Sequence, residues 1–209
     1  MTTPAPPPDL PAVPAPGRPA VVRRATAEDR GVLERLWLLF RHDMSAVSGE
    51  LPGPDGRFRD DRLRDALADL GPGTGVPGGG AGRDDRSGRR GVVWRGYLAA
   101  VPGATPGAGE RPVAFALVRG LDAPTRVLSA FFVVRAARQR GLGREVAAAV
   151  LRDVPGPWEV PYQDANAPAA AFWPRVATDV AGDAWAVDRR PVPGRPDVPP
   201  DAWLQLAVG

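Results

Sequence analysis

The chain has 209 residues, with 27 basic side chains (all arginine) against 24 acidic ones, a net charge of +3, one histidine and no cysteine. The missing cysteine excludes disulfides, thiol nucleophiles and thiolate metal centres. A single imidazole, His42, leaves no His-rich zinc site, so no metal is expected. No apolar run approaches the roughly 18 residues of a membrane span, and the first twenty residues lack the basic and apolar regions of a secretory signal. A cytoplasmic chain without a membrane partner is expected. A charge of +3 spread along the sequence is not the clustered basic stripe of a nucleic-acid binder, so no nucleic-acid partner is expected either.

Glycine and proline number 25 and 26, about a quarter of the chain, and they cluster. Residues 1–20 hold eight prolines and few bulky apolar side chains, too little burial to offset chain entropy, which predicts a disordered tail. A folded domain is expected over 21–209. Residues 21–24 (VVRR) read as a short strand. Thr26 and Asp29 have the spacing of a capping box. Leu33, Leu36, Trp37, Phe40 and Met44 then recur at steps of three and four, the buried face of a helix. Residues 60–70 predict a second amphipathic helix with Leu63, Ala66, Leu67 and Leu70 inward. The stretch 71–90 carries eight glycines with no apolar anchor and reads as a flexible insertion. It lacks the strand and helix that would flank a phosphate loop.

From residue 91 the pattern is that of strands. Residues 91–101 and 112–120 predict an antiparallel hairpin, and 126–134 (RVLSAFFVV) a buried strand. A helix from about Gly141 is expected to bury Leu142, Val146, Ala149 and Val150. A strand at 158–163 and a short helix with Ala169, Phe172, Trp173 and Val176 on one face follow. Pro174 is expected to kink that helix or end it early, because it lacks an amide donor. Residues 184–187 and 202–208 predict a closing strand pair. The order β-α-α-β-β-β-α-β-α-β-β gives an α/β (α+β) fold: a mixed, mostly antiparallel central sheet with helices on both faces.

The chemically informative unit is FFVVRAARQRGLGREVAAAVL, a strand leading into Arg138-Gln139-Arg140-Gly141-Leu142-Gly143 and then a helix. The first amides of a helix have no internal partner, the aligned peptide dipoles add partial positive charge, and glycines permit close approach. Such a corner suits a diphosphate.

R-x-x-G-x-G after a strand, then an Ala-rich helix, resembles the acetyl-CoA-binding motif of the GCN5-related N-acetyltransferase (GNAT) superfamily. Asn166, opening a short helix after the next strand, is similar to that family's later element. HDMS at 42–45, PDGRF at 54–58, FFVVR at 131–135 and PGPWEV at 155–160 resemble a bacterial group of predicted acetyltransferases. The resemblance implies the acyl-CoA N-acyltransferase fold and transfer of acetyl from acetyl-CoA to a primary amine of a small molecule or peptide. The protein would act as a monomer or homodimer. It implies that strand residues 131–134, among them Phe132, Val133 and Val134, present backbone groups to the pantetheine arm. Arg138, Gln139, Arg140, Gly141, Leu142, Gly143 and Arg144 would hold the pyrophosphate, and Asn166, Phe172 and Trp173 would lie along the thiol end. The strands 126–134 and 157–163 would splay around the thioester.

Two residues depart from the family pattern. Trp173 stands where many members carry a tyrosine acid, and Ala130 where relatives often have a carboxylate. Glu159, Asp43 (with His42 beside it) and Tyr162 remain as acid–base candidates. The alternative is a non-catalytic acyl-CoA-binding or regulatory domain that keeps the cradle without the acid and base.

Overall fold

Among the described residues seven strands form one sheet in the order β1-β2-β3-β4-β5-β7-β6. The structure, a computed structural model, describes residues 20–71, 92–103, 109–138 and 141–209. The expected tail, apart from Ala20, lies outside the described residues. So do most of the 71–90 insertion and the candidates Gln139 and Arg140. The strands are β1 (Val21–Arg24), β2 (Trp94–Val101), β3 (Arg111–Arg119), β4 (Arg126–Val133), β5 (Gly156–Tyr162), β6 (Trp185–Arg190) and β7 (Asp201–Val208). Every pairing is antiparallel except β4 with β5. The predicted hairpin and closing strand pair are both present.

Among the described residues four α-helices cover the two faces: α1 (Arg30–Ser48), α2 (Asp61–Ala68), α3 (Leu142–Arg152) and α4 (Ala167–Ala181). Period-2 alternation along the central strands sorts their side chains. Leu98, Phe115, Leu117, Ala130 and Phe132 join Leu33, Leu36 and Trp37 of α1 and Leu63 and Leu67 of α2. Ala99, Ala116, Val118, Leu128 and Val133 join Val146 and Val150 of α3 and Trp173 and Val176 of α4. β2 to β4 are buried on both faces, which explains why their sequences read as near-continuous apolar runs.

The entry to α1 follows from Asp29. Its carboxylate accepts from the Thr26 amide at 2.8 Å and from the Thr26 hydroxyl at 3.2 Å, across a single 3-10 turn over 27–29. Both terminal nitrogens of Arg23 clamp it, at 2.6 and 2.7 Å. Two expectations are corrected. Ala149 is exposed, and α3 instead buries Ala147, Ala148 and Leu151 beside Leu142, Val146 and Val150, because the helix packs against both the sheet and α4. Pro174 does not end α4, which continues to Ala181. Trp173, Val176 and Ala177, buried on either side of it, hold the helix on the sheet against the loss of one backbone hydrogen bond.

Candidate functional site

The parallel pair β4 and β5 matches only at Arg126 with Trp158 and Val127 with Glu159, after which the strands part. β5 stays paired along its whole length with β7, so the departure belongs to β4. Its cause is a bulge. Leu117 pairs with Ala130 and Val118 with Leu128, leaving Ser129 unmatched, and an extra residue bends its strand. The result is a V-shaped gap whose apex is Val127–Glu159.

Beyond the bulge the Val134 amide donates to the Val113 carbonyl at 2.8 Å. Antiparallel alternation then turns the peptide groups of Phe132 and Val134 toward β3 and those of Phe131 and Val133 into the gap. Of the strand residues 131–134 expected to present backbone groups, two face the gap. Phe132 and Val134 are bonded into the sheet, and Phe131 joins Val133 on the open edge. The Val133 carbonyl accepts from Arg138 Nε at 2.7 Å, which leaves the Val133 amide as a donor facing the gap.

At the open end of β4 lies the N-terminus of α3. Gly141 takes a left-handed φ of 79° as its N-cap and supplies no capping side chain. That conformation is natural to glycine and strained for other residues. The Arg144 and Glu145 amides bond to the Gly141 carbonyl, whereas those of Leu142 and Gly143 make no hydrogen bond to a described residue. A Cβ on Gly143 would stand 3.4 Å from the Phe172 ring and 3.7 Å from Val133, so the glycine brings α3 close to both α4 and β4.

Of the basic side chains expected at this corner, Arg138 and Arg144 are engaged elsewhere. Arg138 Nη2 lies 2.6 Å from Asp43, and its guanidinium rests over the Phe132 ring. Arg144 makes a two-pronged pair with Asp179 of α4 at 2.5 and 2.7 Å. Among the described residues the positive potential of the corner comes from helix amides. Leu142 itself is buried in the core.

α4 begins as the sequence indicates. Asn166 Oδ1 accepts from the Ala169 amide at 3.3 Å as the N-cap, and Asn166 Nδ2 points at Met44 Sδ. Phe131, Phe172 and Trp173 form a mutual aromatic cluster with centroid separations of 4.8–5.7 Å. Trp173 is buried, while Phe131 and Phe172 are half-exposed.

The three acid–base candidates do not come together. Asp43, on α1, is paired with Arg135 at 2.9 Å as well as with Arg138. Partial burial opposes ionisation, but the two guanidiniums outweigh it and hold the carboxyl below its usual range. His42 beside it is an exposed helix residue, 3.8 Å away. Glu159 lies near the apex on the face that carries α1 and α2. Its bond from Arg190 at 2.7 Å, with support from Gln205, holds it below the ordinary range. A cavity of about 530 Å³ at this closed end, lined by Thr125, Pro157, Glu159, Trp185 and Gln205, is at the opposite end of β5 from the α3 corner. Tyr162 ends β5 on the α3–α4 face, and burial pushes its phenol up. No group of three or more His, Cys, Asp or Glu among the described residues is placed to hold a metal.

Sequence reasoning missed Ser129 and the two arginines that meet it: Arg119 Nε donates to Ser129 Oγ at 3.0 Å and Arg62 Nη1 to its carbonyl at 3.2 Å. No motif spacing connects residues 62, 119 and 129. The FFVV pattern did mark the strand that carries Phe131.

No protein-family model matches the chain, and no curated protein sequence matches it. Solved structures do. A GNAT-family acetyltransferase from Staphylococcus aureus is similar over 91% of this chain and 99% of its own, with a TM-score of 0.56 at 11% identity. This chain has the GNAT acyl-CoA N-acyltransferase fold. An acetyltransferase from Thermus thermophilus matches it over 91% of this chain and 97% of its own (TM-score 0.52, 18% identity). An aminoglycoside acetyltransferase, solved with coenzyme A and kanamycin, matches over 90% and 94% (TM-score 0.52, 13% identity). The parted β4 and β5 and the uncapped α3 of this GNAT fold are the features that bear on function. Among the described residues no helix is long and apolar enough to cross a membrane.

Proposed function

We propose that the protein transfers the acetyl group of acetyl-CoA to a primary amine of a small molecule or peptide. The observation that carries this reading is the gap itself. One strand edge is left unpaired by a bulge, and a helix beside it presents amides with no partner among the described residues behind a glycine cap. The corner fits a diphosphate because the Leu142 and Gly143 amides have no acceptor among the described residues and the peptide dipoles favour an anion. A fold relative solved with coenzyme A supports the same choice of donor, and dependence on acetyl-CoA suits a cytoplasmic protein.

In this reading the pantetheine arm lies along β4, bonded to the exposed peptide groups of Phe131 and Val133, with Phe172 flanking it. The amine nitrogen attacks the thioester carbonyl, the C–S bond breaks, and the sulfur takes a proton. The Val133 amide is the donor placed for charge developing on the carbonyl oxygen. Tyr162, whose phenol burial keeps protonated, is the acid for the sulfur. Asp43 and Glu159 are ionised and already engaged by arginines, so they serve as structural partners. The amine gives its proton to solvent, and positioning carries that half of the reaction.

A second reading, an acyl-CoA-binding domain without catalysis, is favoured by those same occupied carboxylates. One experiment separates the two. Acetyl-CoA binding is measured by calorimetry, and thiol release is followed with a thiol reagent across an amine panel. The chain has no cysteine, so every thiol detected is free coenzyme A. Binding with acceptor-dependent release supports transfer; binding with no release on any amine supports the second reading; failure to bind overturns both.

A further inference from the structure

Ser129 is met by two guanidiniums, Arg62 from α2 and Arg119 from the end of β3. At two other places among the described residues, arginines that converge share a carboxylate. Arg135 and Arg138 share Asp43, and Arg24 and Arg95 share Asp153. At Ser129 the pattern breaks: neither arginine has an ion-pair partner among the described residues, and each donates to an uncharged oxygen. Like charges drawn together repel, and an anion between them would relieve that repulsion.

The nearby carboxylates do not supply one. Asp201 acts on Arg62 only at a distance, and burial pushes its own carboxyl up. Glu159 feels Arg119 but is bonded to Arg190. Arg62 remains solvent-accessible, yet surrounding protein and Arg119 depress its pKa. The exposed guanidinium is within reach of a ligand from solvent.

The place matters. Ser129 is the bulged residue where β4 leaves β5, immediately before Ala130 and Phe131, and Arg62 and Arg119 approach from the face carrying α1 and α2. The thiol arm is assigned to the edge of β4 next to α3 and α4. We propose that Arg62 and Arg119 bind an anionic oxygen group, a carboxylate or a phosphate, on the acceptor amine, so that the acceptor is an amino acid or a phosphorylated amine. The inference rests on the acetyltransferase reading and deepens it. Planar guanidiniums match both oxyanions. The same pair repels an amine-rich acceptor, so an aminoglycoside such as the kanamycin of the fold relative is disfavoured.

The test uses the full chain and matched acceptors. L-amino acids are compared with their carboxamides, and phosphoethanolamine with ethanolamine, by coenzyme A release, with acetyl-CoA affinity measured on the same preparation. The expected result is a kcat/KM about 10- to 100-fold higher for the anionic member of one pair, the size of a lost charge-assisted bond. The pair that responds says whether the anion is carboxylate or phosphate. Arg62→Gln and Arg119→Gln are expected to erase that margin, leaving the neutral acceptor's rate and acetyl-CoA affinity unchanged. Equal rates for matched acceptors, a preference for kanamycin, or variants that slow both members alike would overturn the proposal while leaving acetyl transfer standing. Absence of acetyl-CoA binding to the native chain, or binding without transfer to any amine, removes the acetyltransferase reading and this inference with it.

Discussion

Arg138 and Asp43 are bonded across 2.6 Å, which ties the turn after β4 to the last third of α1. Arg138 also holds the Val133 carbonyl, so the pair braces the strand edge that faces the gap. The carboxylate is shared with Arg135, and both arginines are substantially exposed at 41% and 72%. Solvent screening therefore limits what the cluster adds to stability, to about 1 kcal/mol.

Asp43→Asn is accordingly expected to lower stability by no more than about 1 kcal/mol at pH 7. Its folded-state pKa is depressed, so this contribution is present above the unfolded carboxyl value and disappears as pH falls through the folded one. Urea unfolding of both proteins from pH 7 down to 3 checks the closing gap. The pH profile of kcat/KM between 6 and 8 is expected to be the same in both, since a carboxyl held below its usual range does not titrate there.

Asp29 is the stronger acid-sensitive anchor. Its side chain is only 9% exposed and accepts from Arg23 and Thr26. The bond from Arg23 is the main cause of its lowered pKa, against a smaller burial effect. Asp29→Asn is expected to remove about 1–2 kcal/mol at neutral pH. The difference is full above about pH 4 and shrinks as the medium becomes more acidic, by thermal or urea unfolding.

The α3 corner is tested at Gly143. Gly143→Ala brings a methyl to ordinary contact with Phe172 and is expected to fold normally. Gly143→Asp sets a carboxylate among the amides proposed for the diphosphate and is expected to weaken acetyl-CoA by at least about tenfold, from charge repulsion. Calorimetric titration of both variants decides; equal affinities would remove the corner from the binding site.

Tyr162→Phe isolates the proposed acid. Loss of the phenol is expected to reduce kcat by about 10²- to 10⁴-fold with acetyl-CoA affinity unchanged. An unaltered kcat would transfer the protonation of sulfur to solvent.

The core beneath α1 has a defined keystone. Phe115 is 1% exposed and contacts the rings of Trp37, Phe40 and Phe132. Phe115→Ala is expected to destabilise by about 3–5 kcal/mol through the cavity it leaves, measured by urea unfolding.

The sequence alone determined where most elements lie and most of the side chains that are core, Ala149 and the length of α4 excepted. The apolar steps from Leu33 to Phe40, the alternating strands and the Arg138–Gly143 motif are local patterns, and local geometry obeys them. Tertiary structure decided what the polar groups do. Arg138 and Arg144 read as ligands for a diphosphate, and folding sets Asp43 and Asp179 beside them. Glu159 read as a base until β6 delivered Arg190. The bulge at Ser129 exists only through the register of β4 against β3, and it opens the gap and gathers Arg62 and Arg119. Periodicity is a property of neighbouring residues, whereas a charge's role depends on which distant segment meets it, and short-range order carries no record of that.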